Sequence, residues 1–396
     1  MQTPLRTTIY ALLLLLSANV GISQVATGIY TYGTYDNQGF DTINVGNLNV
    51  HFAMPVLHKS GRGAPFTYDL GYDSSVWVPV DTSGTTVWVP AQNWGWQGST
   101  EMAAGYITEV KGTTVCQRTA PIGYSTLTLE VVYHDQWGIS HPFPGSYWTQ
   151  SLSCGSPTSG GTIGPMASDG SGYQYPIEND NEIIDKNGKK FYPPVNFVGG
   201  IASTADANGN EISVDGSGNF TDTTGNVVLR VAGGSPSPQT FTYTDTTGTP
   251  RSVTMTYKAY TVQTAFGCSG VGEYGPTSNS LVDTISYADG STYTFSYEQT
   301  PGVPGNVTGR LASVELPQNG IINYTYTGNN GTTIKNGIVC LDGSTAGLTR
   351  VLASDSGSAA SSWTYSRTTG PNTPGDQTSH TEVVDGLSNH KAYDFV

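Results

Sequence analysis

Along the second half of the chain, apolar residues recur at every second position in short runs bounded by glycine-containing turns. Between Val282 and Tyr297, Ile285 and Tyr287 share one parity with Tyr293, Phe295 and Tyr297, and Asp289-Gly290 separates the two groups. Period-two alternation across an Asp-Gly pair predicts a β-hairpin, because both residues accept the left-handed backbone that tight turns need. The stretch from Gly309 to Tyr326 repeats the plan, with Val314 and Leu316 facing Ile322, Tyr324 and Tyr326 across Asn319-Gly320. Similar turn signals stand at Asp185-Lys-Asn-Gly188, Asp206-Ala-Asn-Gly209, Asp222-Thr-Thr-Gly225 and Asp245-Thr-Thr-Gly248, then at Ser356-Gly357 and Asp385-Gly386. Their spacing is irregular, so this half reads as a degenerate array of hairpins and not as a strict solenoid.

The first half carries strand signals at Ile43 to Met54, Phe66 to Val78, Thr86 to Val89 and Leu127 to Tyr133, with Tyr68, Leu70 and Tyr72 on one parity. Short, evenly spaced strands predict an antiparallel sandwich-like domain. The tract that follows is rich in Gly, Ser, Thr and Pro and predicts a linker or exposed loop. The expected plan is a signal peptide over 1–23, an N-terminal β-domain over 24–150, a linker over 151–175 and a hairpin region over 176–396. That region is expected to form an extended or curled sheet. The last residues, after Tyr393-Asp394, fall within what reads as another hairpin unit, so the array is expected to be truncated.

Composition agrees with an all-β chain: 12% of residues are charged, with 50 Gly, 24 Tyr and 22 Pro, a balance that starves helices. A net charge of -14 argues against nucleic acid or anionic lipid as a partner, since both need a basic footprint. Arg6, an apolar run from Ile9 to Leu16 and small residues Gly21 and Ser23 have the layout of a secretory signal cleaved near Ser23. The run is too short to span a bilayer, so the mature chain is expected to be secreted or held at the cell surface. Cys116, Cys154, Cys268 and Cys340 form an even set for which three connectivities are open. Sequential pairing, Cys116 with Cys154 and Cys268 with Cys340, keeps each bond inside one expected domain and is preferred.

Candidate chemistry is sparse. His51 and His58, and again His134 and His141, lie seven apart; odd spacing on a strand sets such pairs on opposite faces, which makes poor metal pairs. No nucleophile elbow, zinc-protease helix or phosphate-cradling loop occurs. Glu130, Asp135, Glu178, Asp180 and Glu182 are the acidic residues from which a glycosidase pair would have to come. Asp206, Asn208 and Asn210 alternate as calcium ligands do, but Glu211 stands where a calcium loop needs glycine and Ser217 where it needs a bidentate Glu, so a turn explains them better. Trp94 and Trp96 share a parity in a polar stretch; they form either a sugar-stacking platform or an aromatic lid over the core.

Gly309, Arg310, Leu311, Pro317, Gly320, Tyr324 and Tyr326, together with Asp289, Gly290, Tyr293 and Tyr297 of the preceding hairpin, resemble the unit of the YD-repeat (RHS-repeat) family. That unit has Gly-Arg-Leu, a Pro-x-x-Gly turn and a closing Tyr-x-Tyr-Asp; Thr327 stands where the family usually has Asp. The stretch Asn47–Leu70 is also similar to the region that leads into the repeats of some members. The resemblance implies a non-enzymatic, cofactor-free bacterial protein that acts as a β-repeat scaffold at the cell surface or in secreted toxin-like or adhesive assemblies. Its expected partners are cell-surface carbohydrate or other repeat segments. A carbohydrate-binding surface module and a glycoside hydrolase are the alternatives. The family's closing core segment and variable toxin have no counterpart in this sequence.

Overall fold

The computed structural model describes residues 34–60, 64–82, 84–99, 104–115, 124–135, 140–150, 158–176, 182–195, 202–328, 337–338, 340, 346–353, 361–369 and 378–395. The segment expected to be a signal peptide lies outside them. Apart from a 3-10 turn at Gln92–Gly95, their regular structure is β.

Among the described residues sixteen strands, from Ile183–Ile184 to His390–Phe395, form one sheet in which strands pair antiparallel with their neighbours in sequence, while Val271–Gly272 leaves the series to pair elsewhere. The two predicted hairpins form with Ile285 opposite Tyr293 and Val314 opposite Ile322. The alternation decides which side chains are buried: Ile285, Phe295 and Tyr297 in the first hairpin, Val314, Ile322, Tyr324 and Tyr326 in the second.

A second, five-stranded sheet comprises Tyr35–Asn37, Asp41–Asn44, Val50–Lys59, Phe66–Asp73 and Trp96–Ser99. It is the sandwich-like layer expected near the N-terminus, but it does not close on itself. Its aromatic face lies against the hairpin sheet. Phe52 stacks on Phe295 with ring centroids 6.4 Å apart, and Tyr68 meets Phe220 and Phe241 at 5.3 and 5.7 Å. One buried cluster therefore runs from Ile43 through Trp96 and on from Ile212 to Val383. Five short strands bearing Phe52, Phe66, Tyr68 and Tyr72 on one face need a second layer to cover that face, and the hairpins supply it.

The other cluster, which includes Ile107, Tyr133, Phe143, Ile163, Ile183 and Phe191, belongs largely to the intervening segment. The sheet beneath it contains Tyr106–Val115, Tyr124–His134, Ser140–Phe143, Gly145–Gln150 and Thr158–Ile163. The division of the core thus differs from the one composition suggests, and part of the expected linker is a strand: Thr158–Ile163 pairs with Gly145–Gln150. Trp148 explains the glycine there, because a Cβ at Gly160 would sit 2.9 Å from its indole ring.

The hairpin turns share one device. Asp185, Asp206, Asp215, Asp222, Asp245 and Asp385 each accept, through Oδ1, the backbone N–H groups two and four residues on. The residue three positions on takes positive φ; it is glycine in five of the turns and Ser388 (φ 64) in the sixth. At Leu316-Pro-Gln-Asn the same place falls to Asn319 (φ 61), one residue before the expected glycine. Hydrogen bonds hold the carboxyls of Asp206, Asp215, Asp222, Asp245 and Asp385 below the usual carboxylate range. At Asp222 partial burial opposes the charge, but hydrogen bonds from Lys59 Nζ, the Thr224 hydroxyl and the Asn226 N–H outweigh it and bring the pKa to about 2. A depressed folded pKa contributes stability above the unfolded value, lost as pH falls through the folded one. Stability is therefore expected to fall between about pH 4 and pH 2. Asp222→Ala should lower stability at pH 7 by about 1–2 kcal/mol and flatten that acid slope in urea titrations; an unchanged slope would show that Asp222 does not contribute to it.

Candidate functional site

The seam between the five-stranded sheet and the hairpin sheet gathers most of the residues singled out from sequence. Gly309 has φ +83, and a Cβ there would lie 2.7 Å from the Trp94 ring, so glycine admits both the backbone and the indole. Arg310 donates from Nε and Nη2 to the two carboxylate oxygens of Glu298, each at 2.8 Å, and its guanidinium lies 4.1 Å from the centroid of the Tyr326 ring. Leu311 is fully buried, and its N–H donates to the Tyr72 hydroxyl at 2.9 Å. Trp77 Nε1 donates to the Thr308 carbonyl at 2.8 Å. Of the three consecutive residues of the Gly-Arg-Leu motif, Gly309 and Leu311 thus meet Trp94 and Tyr72, while Arg310 is braced within the hairpin sheet by Glu298.

Other residues of the two hairpins lie on the same seam or shape its turns. Tyr293 packs on Phe40 with centroids 5.8 Å apart, and the Tyr297 hydroxyl donates to the Val282 carbonyl at 2.6 Å. Asp289 accepts the Ser291 N–H beside Gly290 (φ +88), while Pro317 and Gly320 belong to the following turn. Tyr324 donates to Asp41 at 2.7 Å, and Arg350 pairs with the same carboxylate.

Trp94 and Trp96 do not form an exposed platform. Trp96 is buried at 4% exposure, edge-on to Phe295 with centroids 4.9 Å apart, while Trp94 is half-buried against Trp77 and Tyr274. Asn93 and Trp94 both adopt left-handed backbone, with φ 51 and 57. Such conformations cost about 1–3 kcal/mol each in non-glycine residues. Both tryptophans line a cleft of about 440 Å³ that opens between the two sheets, with Gln97, Gln239, Tyr257 and Asn279 also in its wall. Among the described residues no Asp, Glu, Lys or Arg lines it. The sequence held no signal for this grouping, since Gln239 and Asn279 come from hairpins far along the chain.

The remaining candidates are spread apart. Asp206 accepts from the Asn208 and Asn210 N–H groups and from Asn210 Nδ2, so its oxygens are occupied in turn formation, and among the described residues no cluster of His, Cys, Asp and Glu suits a metal. Cys268 and Cys340 are joined, as sequential pairing has it; Cys116 and Cys154 lie outside the described residues. Of the acidic residues considered for glycoside hydrolysis, Glu178 and Asp180 also lie outside them. Glu130 lies in Tyr124–His134, and Glu182 is paired with Lys190 at 2.9 Å.

Asp135 is buried 3.3 Å from His141 Nε2, while His141 Nδ1 contacts Asp169 at 2.5 Å. Burial works against a charged His141, but the two carboxylates outweigh it and raise its pKa. His141 and His134 sit on neighbouring strands of a hairpin, with His141 opposite Tyr133 and His134 opposite Ser140. His51 is buried and contacts Asp73 at 3.0 Å, whereas His58 is exposed and meets Asp69 at 2.6 Å. Among the described residues no helix is long and apolar enough to cross a membrane. No protein-family model matches the chain, and no curated protein matches it.

Proposed function

We propose that the chain is an exported, non-enzymatic β-scaffold of the YD-repeat type, in which the five-stranded sheet serves as the template that the hairpin array covers. The observation that supports this most is the seam at Gly309, Arg310 and Leu311, where Gly309 admits the Trp94 ring, the Leu311 N–H donates to the Tyr72 hydroxyl, and Arg310 between them is braced by Glu298 of the hairpin sheet. A unit of this kind has a reason to repeat: each hairpin adds two strands and extends the same buried face. Surface function then rests on exposed loops and clefts of a rigid sheet, not on a catalytic centre.

Fractionation of producing cells, probed with an antibody against the Phe40 to Trp148 region, is expected to place the protein in the surface and medium fractions. Confinement to the cytoplasm would overturn the export part of this reading. Turnover of a polysaccharide by the purified chain, abolished by substituting one acidic residue, would overturn the non-enzymatic part and favour the hydrolase.

A further inference from the structure

We infer that the cleft between the two sheets is a binding site for a neutral saccharide, with Trp94 and Tyr257 bordering the sugar ring and Gln97, Gln239 and Asn279 reading its hydroxyls. Its volume of about 440 Å³ falls in the range of roughly 300–1,000 Å³ typical of small-molecule sites. Because no Asp, Glu, Lys or Arg among the described residues lines it, none of these wall residues compensates a charged ligand that leaves water. An apolar ligand fits no better, since it would leave several side-chain amides without partners.

The polar groups present suit adjacent hydroxyls. A carboxamide offers a donor and an acceptor side by side, as a hydroxyl pair requires. The aromatic rings carry negative faces that attract the polarised C–H bonds of a sugar ring. Tyr257 Oη donates to Gln239 Oε1 at 3.3 Å, which helps to orient that amide within the wall. Asn279 is likewise steadied by the Thr277 carbonyl, to which its Nδ2 donates at 3.2 Å.

One further observation sets the cleft apart from an ordinary gap in packing. Asn93 and Trp94 hold consecutive left-handed conformations at its rim, an arrangement that persists only where the surroundings enforce it. Both strands of the seam contribute to the wall, so the site exists only when the inner sheet and the hairpins are docked. It does not depend on whether the scaffold is of the YD-repeat type.

The test is binding of the purified full chain to an array of neutral glucan, galactan, mannan, xylan and N-acetylhexosamine oligosaccharides, with polygalacturonate and sialylated glycans as charged probes. Retention of at least one neutral class is expected. Titration calorimetry with that oligosaccharide should show Gln239→Ala and Asn279→Ala each weakening affinity by about tenfold at unchanged melting temperature. Trp94→Phe should retain most of the affinity, whereas Trp94→Ala should lose it. No neutral saccharide retained, preference for the charged probes, or undiminished affinity in both amide variants would each overturn the inference. Because Gln239 and Asn279 are half-buried and border the cleft, their variants keep the test valid even if Trp94→Ala unfolds.

Discussion

Arg350→Ala is expected to destabilise the protein by about 3–5 kcal/mol, because it leaves the Asp41 carboxylate buried without its countercharge. Both residues are 1% exposed. Arg350 Nε lies 2.9 and 2.8 Å from the two oxygens of Asp41, and Nη2 lies 2.7 Å from Oδ1. The Tyr324 hydroxyl donates to the same carboxylate, and the guanidinium lies 4.6 Å from the centroid of the Trp363 ring. Burial alone would disfavour the charged guanidinium; the hydrogen bonds and charge of Asp41 outweigh that and raise its pKa.

The pair spans 309 residues of sequence and fastens an inner strand to the hairpin sheet. Asp41→Ala should cost a similar amount, since it leaves Arg350 as the unpaired buried charge. A double variant with Asp41→Asn and Arg350→Met should cost clearly less than the two single truncations together, because neither buried charge remains. Urea unfolding at pH 7 measures all of these. Single variants within about 1 kcal/mol of wild type would mean that the seam does not rely on this pair.

Much of the array was legible because hairpins are local. Ile285 and Tyr293, or Val314 and Ile322, meet across turns whose chemistry stands beside them in sequence, and a two-residue period leaves one register in which both apolar rows face inward. The left-handed residue was less legible. Asn319 and Ser388 take that place although a glycine stands nearby, because bonds from the first to the fourth and fifth residues frame the turn and fix which position must be left-handed. The contacts between layers had no local signal at all. Asp41 with Arg350, Tyr72 with Leu311 and Trp77 with Thr308 are separated by 309, 239 and 231 residues. For the same reason Trp94 and Trp96 were visible as an aromatic pair, whereas the amides of the cleft wall were not.

Substitution of Cys268 and Cys340 by alanine is expected to lower stability by about 4 kcal/mol, the loop-entropy value for a bond that joins residues 72 apart. The bond encloses both predicted hairpins, with Gly309, Arg310 and Leu311 between its ends, so it restricts in the unfolded chain the same strands that cover the inner sheet. Its sulfurs belong to residues 6% and 7% exposed, so a thiol reagent should label them only after reduction and unfolding. Such a bond persists in an oxidising compartment, which supports export. Hydrogen exchange locates the effect: without the bond, the strands from Thr277–Ser286 to Ile321–Thr327 should lose more protection than Tyr106–Val115, whose sheet lies outside the loop. A uniform loss across both regions would mean that the chain unfolds as one unit. A loss below about 1 kcal/mol would mean that the enclosed hairpins already restrict the unfolded chain without the bond.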